Sequence, residues 1–156
     1  MQTRRQALNT SAVVAGLLAS TGLFPRFAFA FSKDAFEARS IHDALKAIGA
    51  IGVPGAGVLT ESSGISLSCP DMADNGAVVP FAVSTTLPGV RQLLILVEKN
   101  PVALVAVFNV SENIEPAFSM RIKLAQSSDV YAVAILADGK AMYAKKDVRV
   151  TLGGCN

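Results

Sequence analysis

The sequence predicts an all-β domain, an immunoglobulin-like antiparallel β-sandwich with one N-terminal helix. About seven short segments after Ile65 are apolar or alternate between apolar and polar residues, which is typical of strands. Turn signals separate these segments at intervals of roughly 8–12 residues, as in β-sandwiches. One of the signals, Asp138-Gly139, favours a two-residue hairpin turn. The chain has no tryptophan, so the Cys–Trp–Cys pattern of true immunoglobulin domains is missing.

One helix is predicted ahead of the strands, over residues 34–48. Ser32 is expected to cap its start and Gly49 to end it. Its apolar side chains share one face: Ala38, Ile41, Leu45 and Ile48. The single histidine, His42, lies beside that face. We interpret it as a solvent-facing residue, because no second histidine accompanies it to form a metal site.

The predicted strands differ in how deeply they should be buried. They cover residues 65–69, 77–85, 92–98, 102–110, 118–124, 130–137, 140–144 and 148–152. The continuous apolar segment 92–98 is expected to be buried on both faces. Pro80 predicts an edge or a bulge, because proline cannot donate a backbone hydrogen bond. Asp71–Gly76 is expected to form a turn.

Two apolar segments, Leu93–Val97 and Leu104–Phe108, are large for a domain of this size. Small domains rarely leave such patches exposed. The sequence therefore predicts a partner subunit bound through a sheet face or edge, and a heterodimer.

Residues 1–30 are predicted to be a cleavable export signal. Arg4 and Arg5 precede an apolar segment that is too short to span a bilayer, which needs ~20 residues. Ala28-Phe29-Ala30 fits a signal-peptidase site. The pattern Thr-Arg-Arg-x-x-Leu resembles a twin-arginine signal, although Ala7 stands where phenylalanine is more usual, so the general secretory route stays open. An uncleaved membrane anchor is the other alternative. Export predicts a periplasmic protein whose single domain covers residues 31–156.

The charge of this domain argues against two classes of partner. The whole chain has 14 basic and 12 acidic residues, and three of the basic ones lie in the export signal, which leaves 11 against 12. A nearly neutral domain has no electrostatic basis for binding nucleic acid or a membrane surface. Neither is predicted as a partner.

Catalytic and metal-binding patterns are scarce in the sequence. With one histidine, no Ser-His-Asp arrangement is recognisable. Two distant cysteines with one histidine argue against a compact zinc or iron–sulfur site, so no metal or cofactor is predicted. What remains is Cys155, which follows Gly153 and Gly154 after a predicted strand. Because glycine has a wide φ/ψ range, we expect a thiol on a short flexible tether.

Three basic residues lie just before this tether: Lys145, Lys146 and Arg149. Positive charge near a thiol lowers its pKa, and it also attracts anions. The alternative interpretation is a solvated strand edge with no role at the thiol.

Several stretches of the sequence together resemble one family. They are the C-terminal Gly153-Gly154-Cys155 after a Val-x-Val-Thr-Leu strand, and the internal segments Asp71–Pro80, Asn100–Phe108, Arg121–Ser128 and Ala137–Lys140. Their order and spacing resemble SoxY, the sulfur-carrier subunit of the bacterial Sox thiosulfate-oxidising system. The resemblance covers essentially the whole mature chain.

This resemblance implies a covalent carrier rather than an enzyme. It implies a sandwich that pairs with a SoxZ subunit and carries sulfur on Cys155, with Gly153 and Gly154 as a swinging arm. It further implies three Sox enzymes as partners. A c-type cytochrome joins thiosulfate to the thiol, a metal-dependent hydrolase releases sulfate, and a molybdenum–haem sulfur dehydrogenase oxidises the remaining persulfide.

Two departures from the family pattern keep other functions open. The family usually ends in Gly-Gly-Cys-Gly-Gly, whereas Asn156 follows the cysteine here. Cys69 stands where a small residue is expected, and we interpret it as a buried thiol. One alternative is a thiol-redox protein that pairs Cys69 with Cys155. The other is a non-catalytic periplasmic β-sandwich interaction domain with an inert tail.

Overall fold

The computed structural model describes residues 33–52 and 58–151. The helices in this part are α1 (Lys33–Glu37) and α2 (Ile41–Ile48). The strands are β1 (Thr60–Glu61), β2 (Ile65–Ser68), β3 (Met72–Ala73), β4 (Val79–Thr85), β5 (Val90–Val97), β6 (Leu104–Asn109), β7 (Ala117–Ile122), β8 (Ser128–Leu136) and β9 (Ala141–Val150). The predicted export signal, the Ser32 cap, Gly153, Gly154, Cys155 and Asn156 lie outside the described residues.

The strands form two sheets, as expected of a β-sandwich. The main sheet has the order β1-β9-β8-β5-β6, with β3 also paired to β9, and the small sheet has the order β2-β4-β7. The prediction of a mostly β chain is confirmed. The prediction of purely antiparallel pairing was wrong, because β1 and β3 both run parallel to β9. These two-residue strands are too short for a sequence pattern to reveal them.

The main sheet is covered on both faces, which explains the apolar character of β5. An inner cluster lies between the sheets and includes Leu93, Ile95 and Val97. An outer cluster lies between the main sheet and the helices and includes Leu94 and Leu96. All five side chains are fully buried, and burial of a leucine-sized side chain contributes about 1.5–3 kcal/mol. Burial on both faces is therefore confirmed for β5.

The same burial corrects part of the argument for a partner. Leu93–Val97 were expected to form surplus apolar surface, but the small sheet and the helices of this chain already cover them from the two sides. The expectation of surplus apolar surface was wrong for β5. It still applies to β6, whose residues from Val105 to Phe108 are only partly buried at the edge of the main sheet.

The predicted single helix over residues 34–48 is two helices. The break falls before Ser40, which has an extended backbone and accepts a hydrogen bond from the Asp43 N–H at 3.0 Å. Such a cap begins a new helix, so this prediction was wrong at residues 38–40. Gly49 ends α2 in a left-handed conformation with φ of 81°, as predicted. His42 is exposed, as predicted, and lies 3.7 Å from the Asp43 carboxylate.

The last two predicted strands are one. β9 pairs with β8 without a break from Ala141 to Val148. Between the two predicted strands, Lys145 and Asp147 are exposed, so these polar residues interrupt the apolar pattern without interrupting the strand. The hairpin at Asp138-Gly139 is confirmed, with φ of 83° at the glycine. The predicted two-residue turn was wrong, because the Leu136 N–H bonds to the Lys140 carbonyl and leaves a loop of residues 137–139.

Pro80 lies in the middle strand of the small sheet, so the prediction of an edge was wrong for β4 as a whole. However, β2 pairs with β4 only as far as Ser68 opposite Ala82. At Pro80 the paired neighbour is Arg121 of β7. The proline therefore occupies a place where β4 lacks β2 beside it.

No helix within residues 33–52 and 58–151 has both the length and the apolar character needed to cross a membrane.

Candidate functional site

The described part of the candidate site is the end of β9, which leads to the predicted tether. Thr151 is the last described residue, and Cys155 follows four positions later. Whatever Cys155 does, residues 149–151 fix the point from which its segment departs. The contacts of this strand end therefore define the described part of the site.

On one side, β3 holds the strand end by backbone hydrogen bonds. The Arg149 N–H donates to the Asp71 carbonyl at 2.9 Å, and the Thr151 N–H donates to the Ala73 carbonyl at 3.0 Å. The Thr151 hydroxyl lies 3.3 Å from the same carbonyl and 3.4 Å from Asp74 Oδ1. The segment predicted as a plain turn, Asp71–Gly76, thus contains a short strand that borders β9.

On the other side, the loop after β7 holds the strand end. Ser127 Oγ accepts a hydrogen bond from the Val150 N–H at 2.9 Å. In the same loop the Leu124 N–H donates to the Gly76 carbonyl at 2.7 Å. Gly76 permits this close approach, because a Cβ there would clash with the Leu124 carbonyl oxygen and lie 3.0 Å from Val150 Cγ1.

The turn between β5 and β6 is bonded to the same loop. The Asn100 side chain donates to the Lys123 carbonyl at 2.8 Å and accepts from the Ala125 N–H at 2.9 Å. The Lys99 N–H donates to Ser128 Oγ at 3.0 Å. Hydrogen bonds therefore run from this turn, through the loop after β7, to the end of β9.

We call these four segments together the arm platform: residues 71–78, 98–103, 123–128 and 149–151. Three of the four internal stretches that carry the family resemblance contribute to it, since Asp71–Pro80, Asn100–Phe108 and Arg121–Ser128 all overlap these segments. Hydrogen bonding thus brings together stretches that are distant in sequence. The fourth stretch, Ala137–Lys140, forms the hairpin turn at the other end of β9.

The three basic residues before the tether each have an acidic neighbour. Lys146 Nζ lies 2.9 Å from Asp71 Oδ1, and Lys145 Nζ lies 3.0 Å from Asp129 Oδ2. The hydrogen bond to its carboxylate raises the pKa of each lysine. Arg149 Nε lies 3.7 Å from Asp147. This pairing supports the interpretation as a solvated strand edge rather than a dedicated anion site.

Cys69 directly follows β2 and lies two residues before Asp71. It is 8% exposed and belongs to the inner cluster, which confirms the interpretation as a buried thiol. Its carbonyl accepts a hydrogen bond from Lys146 Nζ at 2.6 Å. Burial raises the pKa of the Cys69 thiol. Because the thiolate is the reactive form, this position is poorly suited to nucleophilic or redox chemistry.

An open groove of about 500 Å³ borders Cys69 at the small sheet. Its lining is Ser68, Cys69, Pro70, Pro80, Phe81, Ala82, Ser119, Met120 and Arg121. Across residues 33–52 and 58–151, no three His, Cys, Asp or Glu side chains lie close enough together to hold a metal ion.

Comparison with known proteins decides the family. The model of the family described as sulfur oxidation protein SoxY matches residues 53–155, more than half of the chain. The chain belongs to the SoxY family. Among solved structures, the sulfur carrier protein SoxY from Chlorobium limicola f thiosulfatophilum is 33% identical, with a TM-score of 0.56. That match covers 60% of this chain and 84% of the other.

More distant structures share the fold alone. A protein described as a superoxide reductase from Thermotoga maritima is 13% identical, with a TM-score of 0.51 over 60% of this chain and 94% of that one. A variant of the superoxide reductase (neelaredoxin) from Ignicoccus hospitalis is 17% identical, with a TM-score of 0.50 over 56% of this chain and 79% of that one. No curated protein matches the chain.

Membership of the SoxY family supports a sulfur-carrier role for this chain within a Sox system. The SoxY match ends at residue 155 and thus includes Gly153, Gly154 and Cys155. The arm platform is the part of this SoxY protein from which those residues depart.

Proposed function

We propose that this SoxY protein carries thiosulfate-derived sulfur covalently on Cys155 and presents it to Sox enzymes in the periplasm. One observation carries the proposal: the SoxY match extends to Cys155, and the strand that leads there is bonded at Thr151 on one side and at Val150 on the other. A firmly held root with glycines beyond it is the construction that a carrier arm requires.

The proposed loading step is an oxidation of the thiol. The Cys155 thiol and thiosulfate form a sulfur–sulfur bond, which gives a Cys–S–S–SO₃⁻ adduct, one proton and two electrons. The c-type cytochrome accepts the electrons. Water then attacks the terminal sulfonate in the hydrolase, which releases sulfate and one proton and leaves a Cys155 persulfide. An unperturbed thiol has a pKa of about 8.5, so a minor thiolate fraction is available for loading near neutral pH.

The proposed arm is short. The four residues from Thr151 to Cys155 span at most about 14 Å when extended. Gly153 and Gly154 have no Cβ, so this arm is narrow and free to adopt conformations closed to other residues. Such an arm delivers sulfur into a channel of an enzyme that a thiol on a broad sheet surface would not enter.

The proposed partner subunit is SoxZ, bound at the edge where both sheets end. β6 is an edge strand of the main sheet and β7 an edge strand of the small sheet. Phe108 of β6 stacks on Phe118 of β7 with ring centroids 4.2 Å apart, and both rings are only partly buried. An open edge with partly exposed aromatic rings supports a subunit interface there. The molybdenum–haem dehydrogenase is the third proposed enzyme partner.

The test compares the two cysteines of the chain. The mature protein is combined with SoxZ and the Sox enzymes, and thiosulfate-dependent electron transfer to the cytochrome is measured. Cys155→Ser should abolish turnover while the unfolding midpoint stays the same. Cys69→Ser should retain turnover, with a modest loss of stability for one buried side chain.

A folded Cys69→Ser variant that loses turnover would instead support the Cys69–Cys155 redox protein. Full turnover by Cys155→Ser would contradict the carrier role and support an interaction domain with an inert tail. Replacing Gly153 and Gly154 together by valine isolates the arm. Turnover should fall many-fold, while the reaction of Cys155 with a small thiol reagent changes only a few-fold.

A further inference from the structure

We infer that the arm platform is itself a docking surface, and that its occupant is a protein whose active-site entrance has an uncharged, apolar rim. The inference rests on the proposed function, in which Cys155 enters such an entrance. It adds the surface of the carrier that the enzyme must contact and the chemistry of that contact.

Exposed apolar side chains concentrate on the platform. Five large hydrophobic residues are exposed in the described part of the chain, and three of them belong to the platform: Met72, Val78 and Val102, which are 56%, 52% and 38% exposed. The other two, Val58 and Ile114, lie elsewhere. Ile114 is in the loop from β6 to β7, and the platform holds the opposite ends of those strands. The platform thus holds three of the five exposed large apolar residues of the described chain, although the most exposed one, Val58, lies outside it.

The length of the arm requires contact with this end. Cys155 reaches at most about 14 Å from Thr151. Met72 belongs to β3 and is paired with Arg149, two residues before Thr151. Val78 is two residues from Gly76, hence within about 7 Å of it, and Gly76 adjoins Val150. A protein that encloses Cys155 must therefore approach Met72 and Val78 closely.

The charge of the platform defines the chemistry of its occupant. Its four segments contain three acidic residues, Asp71, Asp74 and Glu98, and three basic ones, Lys99, Lys123 and Arg149. With no net charge, the surface has little to attract a strongly charged partner over distance. Apolar contact is therefore expected to supply most of the affinity. Charged residues are depleted at the core of such interfaces, so the rim of the partner's active-site entrance is expected to be uncharged and apolar.

The hydrogen bonds of the platform suit this role. Asn100, Ser127 and the β3 carbonyls fix its segments to one another. A surface that is already ordered loses little conformational entropy when a partner binds. Met72 and Val78 thus project from a fixed backbone rather than from a free loop.

The test uses the mature carrier bound to SoxZ and loaded with thiosulfate, and it measures sulfate release by the Sox hydrolase. Val78→Asp is compared with Ile114→Asp, a matched change at a similarly exposed residue on the other end of the sandwich. Val78→Asp should lower kcat/KM at least about fivefold through KM, as for a residue at the centre of an interface. Ile114→Asp should change it less than twofold. Met72→Gln, which keeps side-chain length, should act in the same direction as Val78→Asp.

Three controls make the outcomes separable. The unfolding midpoint and the rate of Cys155 with a small thiol reagent should be the same in both aspartate variants. For the unsubstituted carrier, kcat/KM should vary little with salt, and a steep fall with salt would show electrostatic docking and overturn the inference. Equal effects of Val78→Asp and Ile114→Asp would also overturn it, with the carrier role intact. Absence of any adduct on unsubstituted Cys155 would instead contradict the proposed function.

Discussion

The two ends of the sandwich are closed in different ways. The end opposite the platform, residues 62–64, 86–89, 110–116 and 137–140, is closed mainly by backbone hydrogen bonds. Some belong to local turns, as between the Leu136 N–H and the Lys140 carbonyl at 2.9 Å, and some join neighbouring loops, as between the Ala137 N–H and the Gly89 carbonyl at 2.8 Å. We call it the turn end. The platform is closed by side chains that bond to distant segments, such as Asn100 and Ser127. In the described part of the chain, side-chain bonds between distant segments are thus more numerous at the end that leads to Cys155.

The largest expected effect is the change in the free energy of unfolding when a glycine at each end is replaced by alanine. Gly76→Ala should lower the free energy of unfolding by about 1–3 kcal/mol, because its Cβ meets the Leu124 backbone, which must shift. Gly64→Ala at the turn end places a Cβ 2.6 Å from Leu87 Cδ2, the far end of a flexible side chain. Its cost should be smaller, since that side chain can rotate away. Urea unfolding of both variants measures the difference, and equal losses would contradict the idea that the platform is the less tolerant end.

A smaller effect is expected from Ser127. Ser127→Ala removes the acceptor for the Val150 N–H, at a cost of about 1 kcal/mol. Hydrogen exchange should quicken at Val150 and Thr151 and stay unchanged at Leu136 and Gly139, which have their own turn-end bonds. Faster exchange at both ends would mean that Ser127 stabilises the whole fold rather than the root of the arm.

The smallest effect concerns an ion pair at each end. The hydrogen bond to Lys146 lowers the pKa of Asp71 at the platform, and the one to Lys140 lowers the pKa of Asp138 at the turn end. A lowered pKa in the folded state adds stability that is present above the unfolded value of 3.8 and is lost as pH falls through the folded value. Both carboxylates are exposed, so each contribution is small.

Asp71→Asn and Asp138→Asn should therefore each reduce stability at pH 6 and leave it unchanged near pH 2. Acid unfolding followed by circular dichroism measures both. Hydrogen exchange at the Arg149 N–H separates them, because that group bonds to the Asp71 carbonyl. It should respond to Asp71→Asn alone, and an equal response to Asp138→Asn would show that the two ends are coupled.

The sequence predicts the turn end better than the platform, for a physical reason. The turn at Asp138-Gly139 depends only on the backbone of its own residues, so a short pattern is enough to recognise it. The same holds for Gly49, which ends α2. β5 is recognisable because its last five residues, Leu93–Val97, are all apolar. The Ser40 cap also had a local signal, a serine three residues before Asp43, which the continuous apolar face of residues 38–48 concealed.

The platform depends on contacts that no local pattern contains. Asn100 bonds to residues 23 and 25 positions away, and Thr151 bonds to Ala73 across 78 positions. β3 exists only because β9 passes beside it. The resemblance to SoxY pointed to these segments without indicating that they meet. Cys69, by contrast, was interpretable from its place in an alternating strand before Pro70.

The most direct test of the central claim is the mass of the peptide that contains Cys155, measured on protein isolated while it oxidises thiosulfate. We expect adducts on Cys155 that correspond to bound thiosulfate and to a persulfide, both removed by a reducing agent. Cys69 should be unmodified in the same sample. Active oxidation of thiosulfate with Cys155 present throughout as a free thiol, or as a disulfide with Cys69, would contradict the account.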